Sequence, residues 1–376
     1  MMKDMKYPLL FTICFVVSFS LCAQVFTNKE VGKKNTALAD SLKKSEYPYV
    51  LPIWGDKATK AGFNLPYSAG MSVQYLWQRS DLVLNNLQIG FNNGPMYNVD
   101  EVVRFDKAQA ETSSVTVRPD IWLFPFLNIY GIFGKSNAST TVGYGIWVQD
   151  STNTAQEVLS AETKVDFNAT TFGIGMTPTI GVGGGFLALD MNCAWTDVPQ
   201  LSKPAFTFIF GPRLGKAFKL KKPDRTIAIW AGGFRVKLNS GTDGSVNLSD
   251  VIPPGALGDK IESGYAKVGA AQQQVDTWWG DLTPVEQKNP VNVAKYNAAN
   301  SGLEKAGQIL AGAEAAVGNI TNSTVQYSMD KRPKDMWNFI VGSQFQINKH
   351  WMLRAEYGFL TSRKQFLCGI QYRFGL

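Results

Sequence analysis

Trp337–Ile347 reads W-N-F-I-V-G-S-Q-F-Q-I, His350–Leu360 reads H-W-M-L-R-A-E-Y-G-F-L, and Gln365–Leu376 reads Q-F-L-C-G-I-Q-Y-R-F-G-L. Each run alternates with a period of two. Trp337, Phe339, Val341, Phe345 and Ile347 share one face, opposite Asn338, Gly342, Gln344 and Gln346. Trp351, Leu353, Ala355, Tyr357 and Phe359 oppose Arg354, Glu356 and Gly358. Phe366, Cys368, Ile370, Tyr372 and Phe374 oppose Gly369, Gln371 and Arg373. A strand of a soluble protein has about 5–6 residues, roughly half of these runs. A tilted strand that crosses a bilayer needs about 9–11, apolar outside, polar inside and aromatic at its ends. The runs fit the second description.

Similar runs recur upstream at Gly70–Arg79, Leu82–Phe91, Thr140–Gln149, Glu162–Gly175, Val182–Thr196, Ala205–Phe218 and Arg225–Leu238. In one of them Phe206, Phe208, Phe210, Leu214 and Phe218 face away from Thr207, Gly211, Arg213 and Gly215. Pro119 and Pro125 interrupt 99–134, which reads as two or three strands with a bulge, because proline cannot donate to a ladder. The expected fold is all-β, a transmembrane antiparallel up-and-down barrel of about twelve strands (range about 10–14). The glycine-rich stretches do not make phosphate loops. Gly134-Lys135-Ser136 would need a glycine where Ile129 stands, and Gly181-x-Gly183 one where Phe186 stands.

Residues 239–332 lack the dyad period. Two helix-prone runs lie inside, Val268–Trp279 and Val291–Val317, the second with Leu303, Ala306, Leu310, Ala313 and Val317 along one side. This insert is expected as a loop and helical cap on a barrel spanning 67–376. Gly302, Gly307 and Gly312 weaken its second helix, so packing against the barrel must hold it. Trp278-Trp279 is read as a buried helix contact, with a recognition patch as the alternative.

At the N-terminus Lys3 and Lys6 precede the apolar run Leu9–Leu21, too short to span as a helix, and then Cys22-Ala23-Gln24. This is signal-peptide anatomy over 1–23, with cleavage expected after Ala23. Residues 24–66 follow as a polar periplasmic leader or partial plug, with a short helix expected over Ala37–Lys44. Formal net charge is +7. Loss of 1–23, which carries Lys3, Lys6 and Asp4, leaves +6. Charged residues make up 18% of the chain against a usual quarter, with no long basic run, so no nucleic-acid partner is expected. Cys14 and Cys22 leave with the signal; Cys193 and Cys368 fall on apolar strand faces and act there as small hydrophobes. With one histidine and no Cys/His cluster, neither a metal nor a cofactor is expected.

The C-terminal hairpin N-K-H-W-M-L-R-A-E-Y-G-F resembles the final hairpins of Gram-negative outer-membrane β-barrels, where a short turn precedes W-x-L-R-x-E-Y. Those families also end on an aromatic strand, represented here by Tyr372-Arg373-Phe374 with Gly375-Leu376 after it. The resemblance covers about forty residues in detail and implies the cell outer membrane, both termini periplasmic, with outer-membrane lipid and lipopolysaccharide as neighbours.

On the inferred lumen face stand Arg213, Arg354, Glu356, Arg373, Asp190, Gln344 and Gln371. They are candidate pore-lining residues of a non-enzymatic channel or transporter for small solutes. Their arginine excess gives it a mild anion preference. The alternative is a non-conducting structural or surface-interaction barrel in which the same residues form a salt-bridged core. A lipid-modifying enzyme is a third class, and its histidine chemistry would have to use His350, which sits at the periplasmic rim.

Overall fold

The alternating runs pair into a closed ring. The computed structural model describes residues 36–149, 155–182, 184–199, 203–222, 224–239, 241–247, 257–317 and 323–376. The expected signal segment 1–23 and the leader up to residue 35 lie outside the described residues. Two short helices come first, α1 (Thr36–Lys44) and α2 (Gly55–Lys60). The strands are β1 (Ala69–Phe91), β2 (Tyr97–Asn98), β3 (Val103–Phe124), β4 (Leu127–Gln149), β5 (Ala155–Val182), β6 (Gly185–Asp197), β7 (Ala205–Lys219), β8 (Thr226–Asn239) and β9 (Gly241–Asn247). Helices α3 (Leu257–Asp281) and α4 (Pro290–Val317) follow, then β10 (Thr324–Pro333), β11 (Trp337–Gln346), β12 (Trp351–Leu360) and β13 (Arg363–Phe374).

Hydrogen bonding runs β1-β3-β4-β5-β6-β7-β8-β11-β12-β13, and β13 returns to β1 from Ala69↔Phe374 to Ser80↔Arg363. The ring is antiparallel and up-and-down, with β2, β9 and β10 outside it. Its ten strands fall at the low end of the expected range. The surplus came from strand length. β1, β3, β4 and β5 have 23, 22, 23 and 28 residues, so runs read as separate crossings, such as Gly70–Arg79 and Leu82–Phe91, belong to one strand. Pro119 sits inside β3 and stays aligned with Met71 of β1, while the ladder to β4 passes from Val117↔Phe133 to Asp120↔Tyr130 around it.

The outer face is apolar and exposed. Val73, Val117, Phe133, Ile174, Leu214, Ile229, Phe339, Leu353 and Ile370 all lie open around the ring, as a lipid-facing surface requires. Rings gather at its edges: Trp351 on Tyr372 at 4.9 Å near the chain termini, and Phe172 on Trp195 at 5.7 Å at the opposite edge. The ring is therefore a membrane-spanning barrel by geometry.

Short connections cluster at the end where β1 begins and β13 finishes: Pro125-Phe126 between β3 and β4, and Ile347–His350 between β11 and β12. The leader laces across this rim. The Val50 amide donates to the Leu376 carbonyl and the Ile53 amide to the Leu123 carbonyl, each at 2.9 Å, and Trp54 packs on Phe124 at 5.0 Å.

At the other end β1, β4 and β5 run on past the β12–β13 turn. There β1 changes partners, pairing Leu82–Phe91 with β10, which in turn pairs with β9. The insert therefore contains two strands, where no strand was expected. The polar stretch Gly241–Asn247 forms one because Thr324–Asp330 offers it an edge. On this tall wall lies the α3/α4 hairpin. Leu303, Ala306, Leu310 and Ala313 of α4 are buried as expected; the Val317 side chain lies outside the description. Leu303, Ala306 and Leu310 share a core with Leu87, Ile146, Val148 and Val158 of the barrel strands and with Ala271 and Val275 of α3. Ile146 and Val148 have the same parity as Tyr130 on β4, whose pairing with β5 takes up the extra residue on the β5 side. The hairpin thus covers the sheet face that continues the lumen wall. Trp279 stacks on Tyr296 at 4.4 Å and joins the two helices, though both Trp278 and Trp279 are half-buried and not enclosed.

Candidate lumen site

Inward positions alternate along every strand, so each wall delivers side chains to the axis at fixed heights. Ten strands leave a bore between the filled eight-stranded barrels and open porins. Bulky groups fill it where glycine faces them. A Cβ on Gly342 would stand 2.5 Å from Trp230, and one on Gly175 would strike the Tyr130 ring.

All seven candidate residues face inward. Glu356, only 2% exposed, accepts from Arg213 Nε at 3.0 Å and Nη2 at 3.3 Å, from Arg354 Nη2 at 3.1 Å and from Trp230 Nε1 at 3.1 Å. Arg213 also pairs with Asp190 at 3.0 Å. Asp190 accepts from the Tyr130 hydroxyl and, at 2.8 Å, from Thr177. Tyr130 stands on β4 and Glu356 on β12, nearly opposite each other in the ring. The chain Tyr130–Asp190–Arg213–Glu356 thus bridges the lumen at mid-height. Arg354 lies over the Trp230 ring at 5.1 Å.

A second cluster sits nearer the termini. Arg373 Nη2 donates to Asp120 at 2.9 Å and its Nε to the Tyr67 carbonyl at 3.0 Å. Gln371 and Asn128 also donate to Asp120. Gln344 contacts the Met352 sulfur at 3.1 Å. Between the clusters lies a cavity of about 290 Å³ at the termini end of the barrel, lined by six of the seven candidates, with Glu356 just behind.

The charge distribution differs from the simple expectation of a basic pore. Arg213, Arg354 and Arg373 are each matched by a carboxylate, Asp190, Glu356 and Asp120 respectively. Of the described arginines that line the cavity, Arg118 is the one without an ion pair, and the sequence reading did not single it out. It lies 5.6 Å over the Tyr130 ring and, among the described residues, has neither an ion pair nor a hydrogen bond. Arg118, Asp120 and Trp122 share one parity in R-P-D-I-W, a signal masked by the proline between them.

His350 sits at the termini rim. Its ring lies between Tyr67 at 4.8 Å and Tyr372 at 5.4 Å, with Nδ1 2.8 Å from the Arg373 carbonyl. These contacts tie the last strand to Tyr67, just ahead of β1. Cys193 and Cys368 are free thiols on the outward face.

No protein-family model and no curated protein matches the chain. Among solved structures, the translocator domain of autotransporter NalP from Neisseria meningitidis is similar at 10% identity and TM-score 0.30, over 81% of this chain and 89% of that one. An outer membrane channel from Pseudomonas putida F1 gives 10% and 0.26, over 82% and 96%. A Pseudomonas aeruginosa FadL homologue gives 8% and 0.26, over 84% and 92%. Likeness at this level carries no argument; the barrel stands on its own strand pairing and outward apolar face.

Proposed function

We propose that the protein is a non-enzymatic outer-membrane barrel with a lumen closed at mid-height, anchoring the tall β1–β3–β4–β5 wall and its helical hairpin beyond the bilayer. The observation that carries this is the Tyr130–Asp190–Arg213–Glu356 bridge across the bore. Outer-membrane location is supported by the apolar belt, the export-signal pattern and the resemblance of the C-terminal hairpin. Periplasmic termini are supported by the short turns at their end and the long insert opposite. The outward belt makes lipid, and lipopolysaccharide in the outer leaflet, its surroundings.

This is the closed alternative among the sequence expectations. The channel reading requires the bridging layer to move, and the cap reading then makes the hairpin a second barrier above it. Planar-bilayer recording of the refolded protein decides. Electrically silent insertions are expected; stable unitary steps in the wild type would overturn the closed reading and restore the channel.

A further inference from the structure

The cavity on the termini side has one feature that closure of the bore does not need. Arg118 and Arg354 both line it, and each holds its guanidinium carbon over an aromatic ring, Tyr130 at 5.6 Å and Trp230 at 5.1 Å. The Nε of each is buried and donates to no described group. A guanidinium stacked on an aromatic ring is held in orientation, so less rotamer entropy is lost when its N–H groups meet a ligand. The remaining charges of the lining cancel in pairs, leaving the excess of one positive charge at Arg118.

We propose that this cavity is a binding site for a small oxyanion, with Arg118 as its principal contact and Arg354 as the second. A planar guanidinium edge matches the two oxygens of a carboxylate or a phosphate. The volume of about 290 Å³ is well above what a single water needs and leaves room for a small anion. Asn128 and Gln371 present amides to the same space, although both donate to Asp120 and so hold the wall. The anion enters from the termini side, because the bridging layer floors the cavity toward the other end. The proposal is independent of conduction, since a blind vestibule binds as well as an open one.

The test is titration of the refolded, full barrel in detergent with inorganic phosphate in one arm and succinate in the other. Trp230 and Trp122 line the cavity and make intrinsic fluorescence a local reporter, with calorimetry as a second readout. Saturable binding is expected in at least one arm, and the arm that responds identifies the oxyanion. Arg118→Gln should weaken it about tenfold or more, the scale of one charge-assisted hydrogen bond. Arg79→Gln removes a cation that bonds Gln109 on the outer face and should leave binding unchanged. Heat-modifiable gel migration of each variant confirms the folded barrel. Absence of saturable binding in both arms overturns the proposal, as does binding that Arg118→Gln and Arg354→Gln leave intact.

Discussion

Replacing Glu356 by glutamine tests the bridging layer directly. Four N–H groups from Arg213, Arg354 and Trp230 converge on this carboxylate, which is 2% exposed. Three of the four donors meet Oε2 and one, Arg213 Nη2, meets Oε1, so glutamine, which keeps one oxygen and turns an NH2 group toward donors, leaves at least one contact without an acceptor and removes the charge from all four. Arg213 retains Asp190 at 3.0 Å, but Arg354 loses its carboxylate. Breaking one partner out of a buried ion pair costs about 3–5 kcal/mol, most of it the uncompensated charge left behind. The assay is urea unfolding of the barrel in lipid vesicles, followed by tryptophan fluorescence. The companion variant removes the whole set, as Arg213→Met, Arg354→Met, Glu356→Leu and Asp190→Asn together. A matched apolar replacement of a buried ion network is often neutral or stabilising, so it should recover most of the loss. A single Glu356→Gln costing less than about 1 kcal/mol would refute the reasoning, showing that water screens the layer.

Gly342→Val forces a side chain into the Trp230 ring, and overpacking of this kind costs about 1–3 kcal/mol; the gel-shift transition should move to lower temperature. Leu310→Ala empties a fully buried site in the α3/α4 core and should cost about 2–5 kcal/mol there. Limited proteolysis should then cut the hairpin while strands β6–β8 and β11–β13 stay protected. Deleting 248–322 with a short linker leaves the β9–β10 pairing in place. The barrel should still fold, and bilayer recordings should stay silent because the closure lies below the hairpin; new conductance would place the barrier in the insert.

The barrel was legible because lipid outside and polar groups inside impose the period of two on consecutive residues. The three C-terminal runs correspond to β11, β12 and β13, and the lumen face of each was read in the correct parity. The tall wall was not legible. Beyond the bilayer no lipid enforces an apolar outer face, so β1 continues past Ser80 with Asp81 and Asn85 in it, held by β10, whose Asp330 pairs with Asn85 from 245 residues away in the chain. Sequence periodicity cannot see such a partner. The lumen candidates were found because arginine and glutamate on a strand face stand out. Their pairing was not, since Asp120 lies 253 residues from Arg373 and Glu356 lies 143 from Arg213. Arg118 escaped for a local reason, because Pro119 broke the alternation that would have placed it.

The unequal strand lengths give the molecule a front and a back. β11 and β12 stop at 10 residues, near the membrane edge, while β4 with 23 and β5 with 28 are longer by 13 and 18, roughly 40–60 Å along the strand. The hairpin lines the inward side of that wall and so looks across the low rim. Anything it touches is met sideways, parallel to the bilayer plane, and rotation about the membrane normal decides whether contact happens at all. A neighbour in the same leaflet is then reached through lateral diffusion and facing direction, whereas a soluble partner arriving from above would meet the wall on its edge.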